Sequence, residues 1–285
     1  MKQVTRNLFI TLIIVLLGGM SCTEVVNDLE PYMEPVISSD SIMPIDALLI
    51  EEQDSLAEEI QDSLSLIPKK CIYLTIDDAP LNGTARIDSI VSKAKVKTNI
   101  FMVGNCIDGS GKFRKYYNLL MENSYIEIYN HSYSHANNKY ATFYKDPEKV
   151  LADFEKNQLD FSIPHKIARL PGRNIWQIGE KTRNYKQSGA TSAELLVKSG
   201  YKVFGWDVEW RYNAKDYTPE QTIEELINEI ETLYEKSRTF SKNHVVLLMH
   251  DQMFAKKNDM NDLETLILEL KEKGFSFEYL SSYPE

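Results

Sequence analysis

The chain has 285 residues, 43% of them hydrophobic and 26% charged, with a formal net charge of −10. Length and composition suit one large globular domain with added segments. Residues 23–68 hold twelve acids and no Lys or Arg, while residues 69–285 balance 30 acids against 30 bases. With no basic stripe, the electrostatic footprint of a nucleic-acid binder is missing.

At the N-terminus, Lys2 and Arg6 precede an apolar run over residues 8–17, followed by Gly18-Gly19-Met20-Ser21-Cys22. A run of ten residues is too short for a bilayer, which needs roughly 20. The stretch ending in Cys22 resembles a bacterial lipoprotein signal, with Gly19 where an aliphatic residue is usual. It implies a signal over 1–21, lipidation of Cys22, export, and anchoring to a membrane on its periplasmic or cell-surface side. A cleaved secretory signal with an incidental cysteine is the plainer alternative.

Residues 22–68 read as an acidic tether rich in Pro and Ser. Within it, Leu49, Gln53, Leu56, Ile60 and Leu64 recur at helical spacing, and Pro68 ends the pattern. From residue 69 to 285, strand-like runs alternate with helical patterns. Strands are expected at 72–76, 98–103, 126–129, 166–169, 201–206, 245–250 and 275–279. Helices are expected at 86–95, 112–122, 147–161, 190–199, 219–236 and 259–273. Thr218-Pro219-Glu220-Gln221 reads as a helix start and Lys273-Gly274 as a helix stop. This alternation predicts an α/β fold of parallel strands with right-handed crossovers, and seven strands suit a barrel. Cys71 opens the first strand and Cys106 follows the second. Parallel strands would hold them on the order of 20 Å apart, so two free, mostly buried thiols are expected.

Asp77-Asp78, Asn130-His131, Arg169, Asp207 and His250 all fall at the carboxyl ends of expected strands, the face that builds the active site of α/β barrels. One carboxylate and two imidazoles can hold a zinc-like ion with a position open for water. A second carboxylate and a third histidine are then free for proton transfer. Singly, each has a plain reading. Asp-Asp pairs sit in turns, an H-x3-H pair in a polar loop is often surface, Arg169 could be a salt-bridge residue, and His250 a core one. Jointly and in this order they point to metal-assisted hydrolysis.

Five segments in sequence order carry a family resemblance. Thr75-Ile76-Asp77-Asp78-Ala79-Pro80 is similar to T-F-D-D-G-P, and His131-Ser132-Tyr133-Ser134-His135 to H-S/T-x-x-H. Arg169-Leu170-Pro171-Gly172 is similar to R-x-P-Y, Trp206-Asp207-Val208-Glu209-Trp210 loosely to D-x-x-D-W, and Leu248-Met249-His250 to L-x-H. Residues 70–280 thus resemble the polysaccharide deacetylases, the family 4 carbohydrate esterases with a NodB homology domain.

The resemblance implies a distorted (β/α)7 barrel, to which the charge pattern adds an N-terminal acidic extension. It implies a divalent metal ion, zinc by first choice, on Asp78, His131 and His135. Asp77 would be the general base, held in place by Arg169, and His250 the general acid, tuned by Asp207 or Glu209. The implied substrate is an acetylated glycan, with an N-acetyl hexosamine polymer ahead of an O-acetyl glycan. The alternatives are a non-catalytic glycan-binding lipoprotein and a hydrolase of non-sugar amides. Ala79 replaces a Gly, and Gly172 replaces a Tyr, keeping a backbone N–H for an oxyanion but losing the ring. The fourth segment is shortened. Tyr133, Trp206, Trp210 and Tyr212 could offer faces to a sugar, and Trp206 is as readily core.

Overall fold

The computed structural model describes residues 69–256 and 262–285. The expected export signal, the lipidated Cys22 and the acidic tether lie outside these residues. No described helix is long and apolar enough to cross a membrane.

Seven parallel strands run in the order β7-β4-β3-β2-β1-β9-β8. They are β1 (Lys70–Ala79), β2 (Thr98–Met102), β3 (Ile126–Asn130), β4 (Ile167–Ala168), β7 (Lys202–Val203), β8 (Val208–Glu209) and β9 (His244–His250). An antiparallel hairpin, β5 (Trp176–Ile178) and β6 (Lys181–Arg183), extends the sheet beyond β7. The result is a curled sheet, a distorted (β/α)7 barrel. Among the described residues, its end strands β6 and β8 do not pair with each other.

All seven expected strands form, but the seventh barrel position is not the one the spacing suggested. The run at 275–279 becomes β10 (Phe275–Phe277), which pairs only with Lys70–Ile72 at the start of β1, while β2 pairs with β1 from Leu74 onward. The two-residue β8 takes the place in the path through its pairing with Leu247 and Leu248 of β9. Runs of two or three residues such as β5, β6 and β8 carry no readable period, so only partner strands define them.

Strand periodicity divides the core. Ile72, Leu74 and Ile76 of β1 pack with Ile87 and Val91 of α1 (Thr84–Ala94) in the layer under the helices. Cys71 and Tyr73 face the other way and meet Phe101, Tyr129, Trp176 and Val246 inside the curl. Residues buried on both faces are why β1 and β9 read as continuous apolar runs.

Among the described residues, five further helices of nine residues or more cover the outer face: α2 (Gly111–Glu122), α3 (Pro147–Asp160), α4 (Ala190–Lys198), α5 (Ile223–Glu235) and α6 (Leu263–Glu272). One expected start is corrected. The helix placed at Pro219 begins at Ile223, capped by Thr222, whose side chain accepts from Glu225 N while Glu225 caps the Thr222 N–H in return. That reciprocal pair satisfies two backbone donors at once, which outcompetes the Thr218-Pro219 signal. Residues 211–221 are thereby left as a loop. Both cysteines are free, with Cys71 buried and Cys106 partly exposed.

Candidate functional site

β1 delivers two adjacent carboxylates into one cavity of about 760 Å³, which a regular strand cannot do because successive side chains alternate between faces. Asp77 follows Tyr73 and Thr75 on the inner side. Asp78 would fall on the helix side, but its backbone turns left-handed (φ 68°) and the register against β2 slips between Asp77 and Ala79. A bulge of this kind re-aims a side chain. Ala79 is itself buried and is not one of the left-handed residues, so its added methyl is accommodated.

The two motif histidines sit on a left-handed loop rather than a helix. After His131, Ser132 has φ 67°, and the run His135, Ala136, Asn137 and Asn138 has φ 49°, 55°, 45° and 58°. Each such non-glycine residue costs about 1–2 kcal/mol, and strain of this kind gathers at functional sites. Polar contacts hold the loop. Ser132 Oγ accepts from His135 N at 3.0 Å. Asn130 Oδ1 accepts from Ser132 N at 2.9 Å and from Asn157 Nδ2 at 3.0 Å.

Among the described residues, Asp78, His131 and His135 are the one group of three whose ligand atoms all lie within 4.8 Å of one another. His131 Nδ1 lies 2.9 Å from the Arg169 carbonyl, which can only accept. The proton is therefore on Nδ1, and the Nε2 lone pair faces the cluster, the usual arrangement for a metal-ligating imidazole. Burial pushes the His131 ring below its ordinary value and favours that neutral form. Burial alone would raise the Asp78 carboxyl, but the rings of His135, His131 and His250 outweigh it and hold it well below the carboxylate range. Asp78 Oδ1 is 3.1 Å from His135 Nε2 and 3.6 Å from His131 Nε2, and beyond these two rings no donor reaches this buried oxygen. Such a poorly satisfied oxygen is costly, and a divalent cation among these donors would satisfy it. One carboxylate and two imidazoles suit zinc and several other divalent ions.

Arg169 is fully buried and spans the floor of the site. Its Nη1 donates to Asp77 Oδ1 and to Thr75 Oγ1, both at 2.8 Å, and its Nη2 donates to the Gly205 carbonyl at 2.7 Å. Burial opposes the guanidinium charge and Asp77 offsets it. The Phe101 ring lies 4.1 Å from the guanidinium carbon. Asp77 Oδ2 stands 3.5 Å from His131 Nε2, so the carboxylate bridges the arginine and the candidate metal cluster. His250 lines the same cavity from the end of β9, opposite Asp77 in the pairing register. Its ring packs 4.9 Å from Tyr212, and its buried Nδ1 has no partner.

The structure separates Asp207 from this group. The Asp207 side chain is fully buried and accepts from Phe240 N at 2.7 Å and Val246 N at 3.0 Å, with Arg183 at 3.5 Å. Burial raises its carboxyl to about 6 against those donors. Asp207 precedes β8 and ties it to the start of β9, and it does not line the cavity. Two residues on, Glu209 does line it. Burial raises the Glu209 carboxyl while His250 draws it down. Of the two acids named as partners of His250, Glu209 is the one the fold places beside the cavity. A strand of two residues carries no readable period, so spacing offered no way to choose between Asp207 and Glu209, and the pairing of Glu209 with Leu248 of β9 decides it.

The aromatic expectations also divide. Trp206 and Tyr212 line the cavity. Trp210 is fully buried against Phe254, with its Nε1 donating to the Gln221 carbonyl at 3.1 Å. Tyr133 turns outward to Asp108 and Lys156. Tyr140 and Tyr217 line the cavity and had no motif to mark them.

Comparison with known proteins bears on this arrangement. Residues 67–163 match the family described as polysaccharide deacetylase. A peptidoglycan-N-acetylglucosamine deacetylase of Bacillus cereus is 26% identical over 218 residues, 74% of this chain and 69% of that protein. The structure is similar in fold to a polysaccharide deacetylase from Bacillus cereus, with TM-score 0.52 and 23% identity over 76% of this chain and 96% of that one. It is also similar to the catalytic domain of a peptidoglycan N-acetylglucosamine deacetylase from Eubacterium rectale, with TM-score 0.55 and 22% identity over 76% and 92%.

Proposed function

We propose that this protein, whose residues 67–163 match the polysaccharide deacetylase family, is a metal-dependent hydrolase. It removes acetyl groups from a glycan, with an N-acetyl hexosamine polymer as first substrate. The observation that carries the reading is the bulge at Asp78, which brings a three-donor cluster and a second, arginine-held carboxylate to one cavity. The N-acetylglucosamine chemistry of the Bacillus cereus relative supports the choice of substrate.

Asp78, His131 and His135 would hold a divalent cation, which would supply Lewis acidity and an acidified water. Asp77 takes the water's proton, and Arg169 fixes the orientation of its carboxylate through the 2.8 Å bond. The Gly172 backbone N–H, at the cavity wall, donates to the oxyanion that develops on the acetyl carbonyl. His250, from the opposite flank of Asp77, protonates the departing nitrogen or oxygen. Glu209 beside it stabilises the charged imidazole that precedes that transfer. In the same proposal, Lys2, Arg6, the apolar run at 8–17 and Cys22 make the protein an exported, membrane-anchored lipoprotein.

Acetate release from N-acetylated chito-oligosaccharides and from peptidoglycan, with added zinc, tests the proposal. Asp77→Asn and His250→Ala are expected to lower the rate at least about 100-fold each, the scale of general acid–base catalysis. Absence of release from any N- or O-acetylated glycan by metal-loaded wild type would favour the glycan-binding alternative instead.

A further inference from the structure

Gly172 lines the cavity with backbone alone. It has no side chain, and its backbone is left-handed (φ 63°), a conformation that disfavours any replacement. The space beside it is nonetheless filled. A Cβ built at Gly172 would lie 3.4 Å from two atoms of the Tyr140 ring and 3.6 Å from a third. Tyr140 comes from a different loop, five residues after His135, and its ring meets His135 edge-on with centroids 5.8 Å apart. Arg173, next to Gly172, brings its guanidinium carbon 5.5 Å from the same ring. The ring is thus held between the Gly172 backbone and a candidate metal ligand, while it remains part-exposed and lines the cavity.

A second aromatic surface stands on the other flank of β1. Tyr212 packs on His250, and Tyr217 stacks on Tyr212 at 5.8 Å with an interplanar angle of 26°. β3, which leads to Tyr140, and β9, which ends at His250, lie on opposite sides of β1 in the sheet. The polar Asp77–Asp78 floor is therefore flanked by aromatic rings from two loops. A ligand that fits has apolar faces and a polar edge, which is the chemistry of a pyranose ring.

We propose that Tyr140, supplied from the loop after β3, is the specificity-determining wall of the cleft. It replaces any side chain at position 172 and packs on the acyl-bearing sugar ring across from Tyr212. This rests on the deacetylase reading for the identity of the sugar, and the test separates the two. Binding of penta-N-acetylchitopentaose is titrated by tryptophan fluorescence or calorimetry on zinc-loaded protein carrying Asp77→Asn, which blocks turnover. Tyr140→Ala is expected to weaken binding at least tenfold with the zinc content unchanged, and Tyr140→Phe to restore it to within threefold. In protein with Asp77 intact, Tyr140→Ala is expected to raise KM more than it lowers kcat.

Should Tyr140→Ala also lose zinc, Tyr140→Leu fills the space against Gly172 without a ring. Weakened binding in that variant at full zinc content supports the proposal. Unchanged affinity in Tyr140→Ala or Tyr140→Leu at full zinc overturns it, as does absence of oligosaccharide binding by the parent protein. If the sugar binds and the ring matters, yet protein with Asp77 intact releases no acetate, the deacetylase reading falls and the role of Tyr140 stands.

Discussion

Arg169→Met tests the electrostatic floor of the site. The substitution keeps much of the side-chain volume and removes the guanidinium. Asp77, 3% exposed, is then left beside no cation, and Thr75 Oγ1 and the Gly205 carbonyl each lose a donor. Removing one partner of a buried ion pair costs about 3–5 kcal/mol. At roughly 2–4 °C per kcal/mol for a domain of this size, the midpoint of thermal unfolding should fall by about 6–20 °C. Urea unfolding in the presence of a chelator, which removes any contribution from bound metal, gives the free energy directly. Adding Asp77→Asn should recover at least about 1.5 kcal/mol of the loss, because the two groups are in contact and their effects are not additive. A single variant within about 1 kcal/mol of wild type, or a double variant no better than the sum of the two losses, refutes the reasoning.

Three more perturbations have definite outcomes. Burial raises the Asp251 carboxyl to about 6 from 3.8, although Thr84 Oγ1 and Gly83 N bond to it at 2.5 and 2.7 Å. The native state therefore keeps this proton to higher pH than the unfolded chain, and the group's stabilisation is complete below about pH 4 and lost as pH rises through about 6. Asp251→Asn should flatten the fall in stability over that window by up to about 1.4 kcal/mol per pH unit, as read by urea midpoints across pH 4–7. Asp207→Ala should leave the Phe240 and Val246 amides unsatisfied and cost stability by about 1–3 kcal/mol per amide, whereas Glu209→Ala should lower turnover with little change in melting. Equal effects of the two substitutions on both readouts would contradict the assignment. Thr222→Ala removes the reciprocal cap of α5 and should cost about 1 kcal/mol, while Thr218→Ala should cost nothing measurable in the same denaturation assay.

Much of the architecture was legible because it rests on local pattern. Seven strand runs, six helical patterns and the order of Asp77-Asp78, His131-x3-His135, Arg169 and His250 can be read from spacing alone. Polar residues stand out where apolar runs end. The helix start at Thr222 was missed because Thr218-Pro219 offers the same local signal, and only the reciprocal bond between Thr222 and Glu225 distinguishes them.

The sequence by itself determined the fold class and the residue types at the carboxyl ends of the strands, because runs and motifs are properties of neighbouring positions. Which of those residues share a cavity was decided by the tertiary structure. A bulge and a left-handed φ turn Asp78 to the side of Asp77. Pairing of β8 with β9 brings Glu209 beside the cavity, while the Asp207 carboxylate is taken up by backbone amides. Tyr140 reaches the space beside Gly172 from a loop more than thirty residues earlier in the chain. Side-chain direction in a strand depends on register, and proximity across loops depends on the whole fold, so neither is encoded in local spacing.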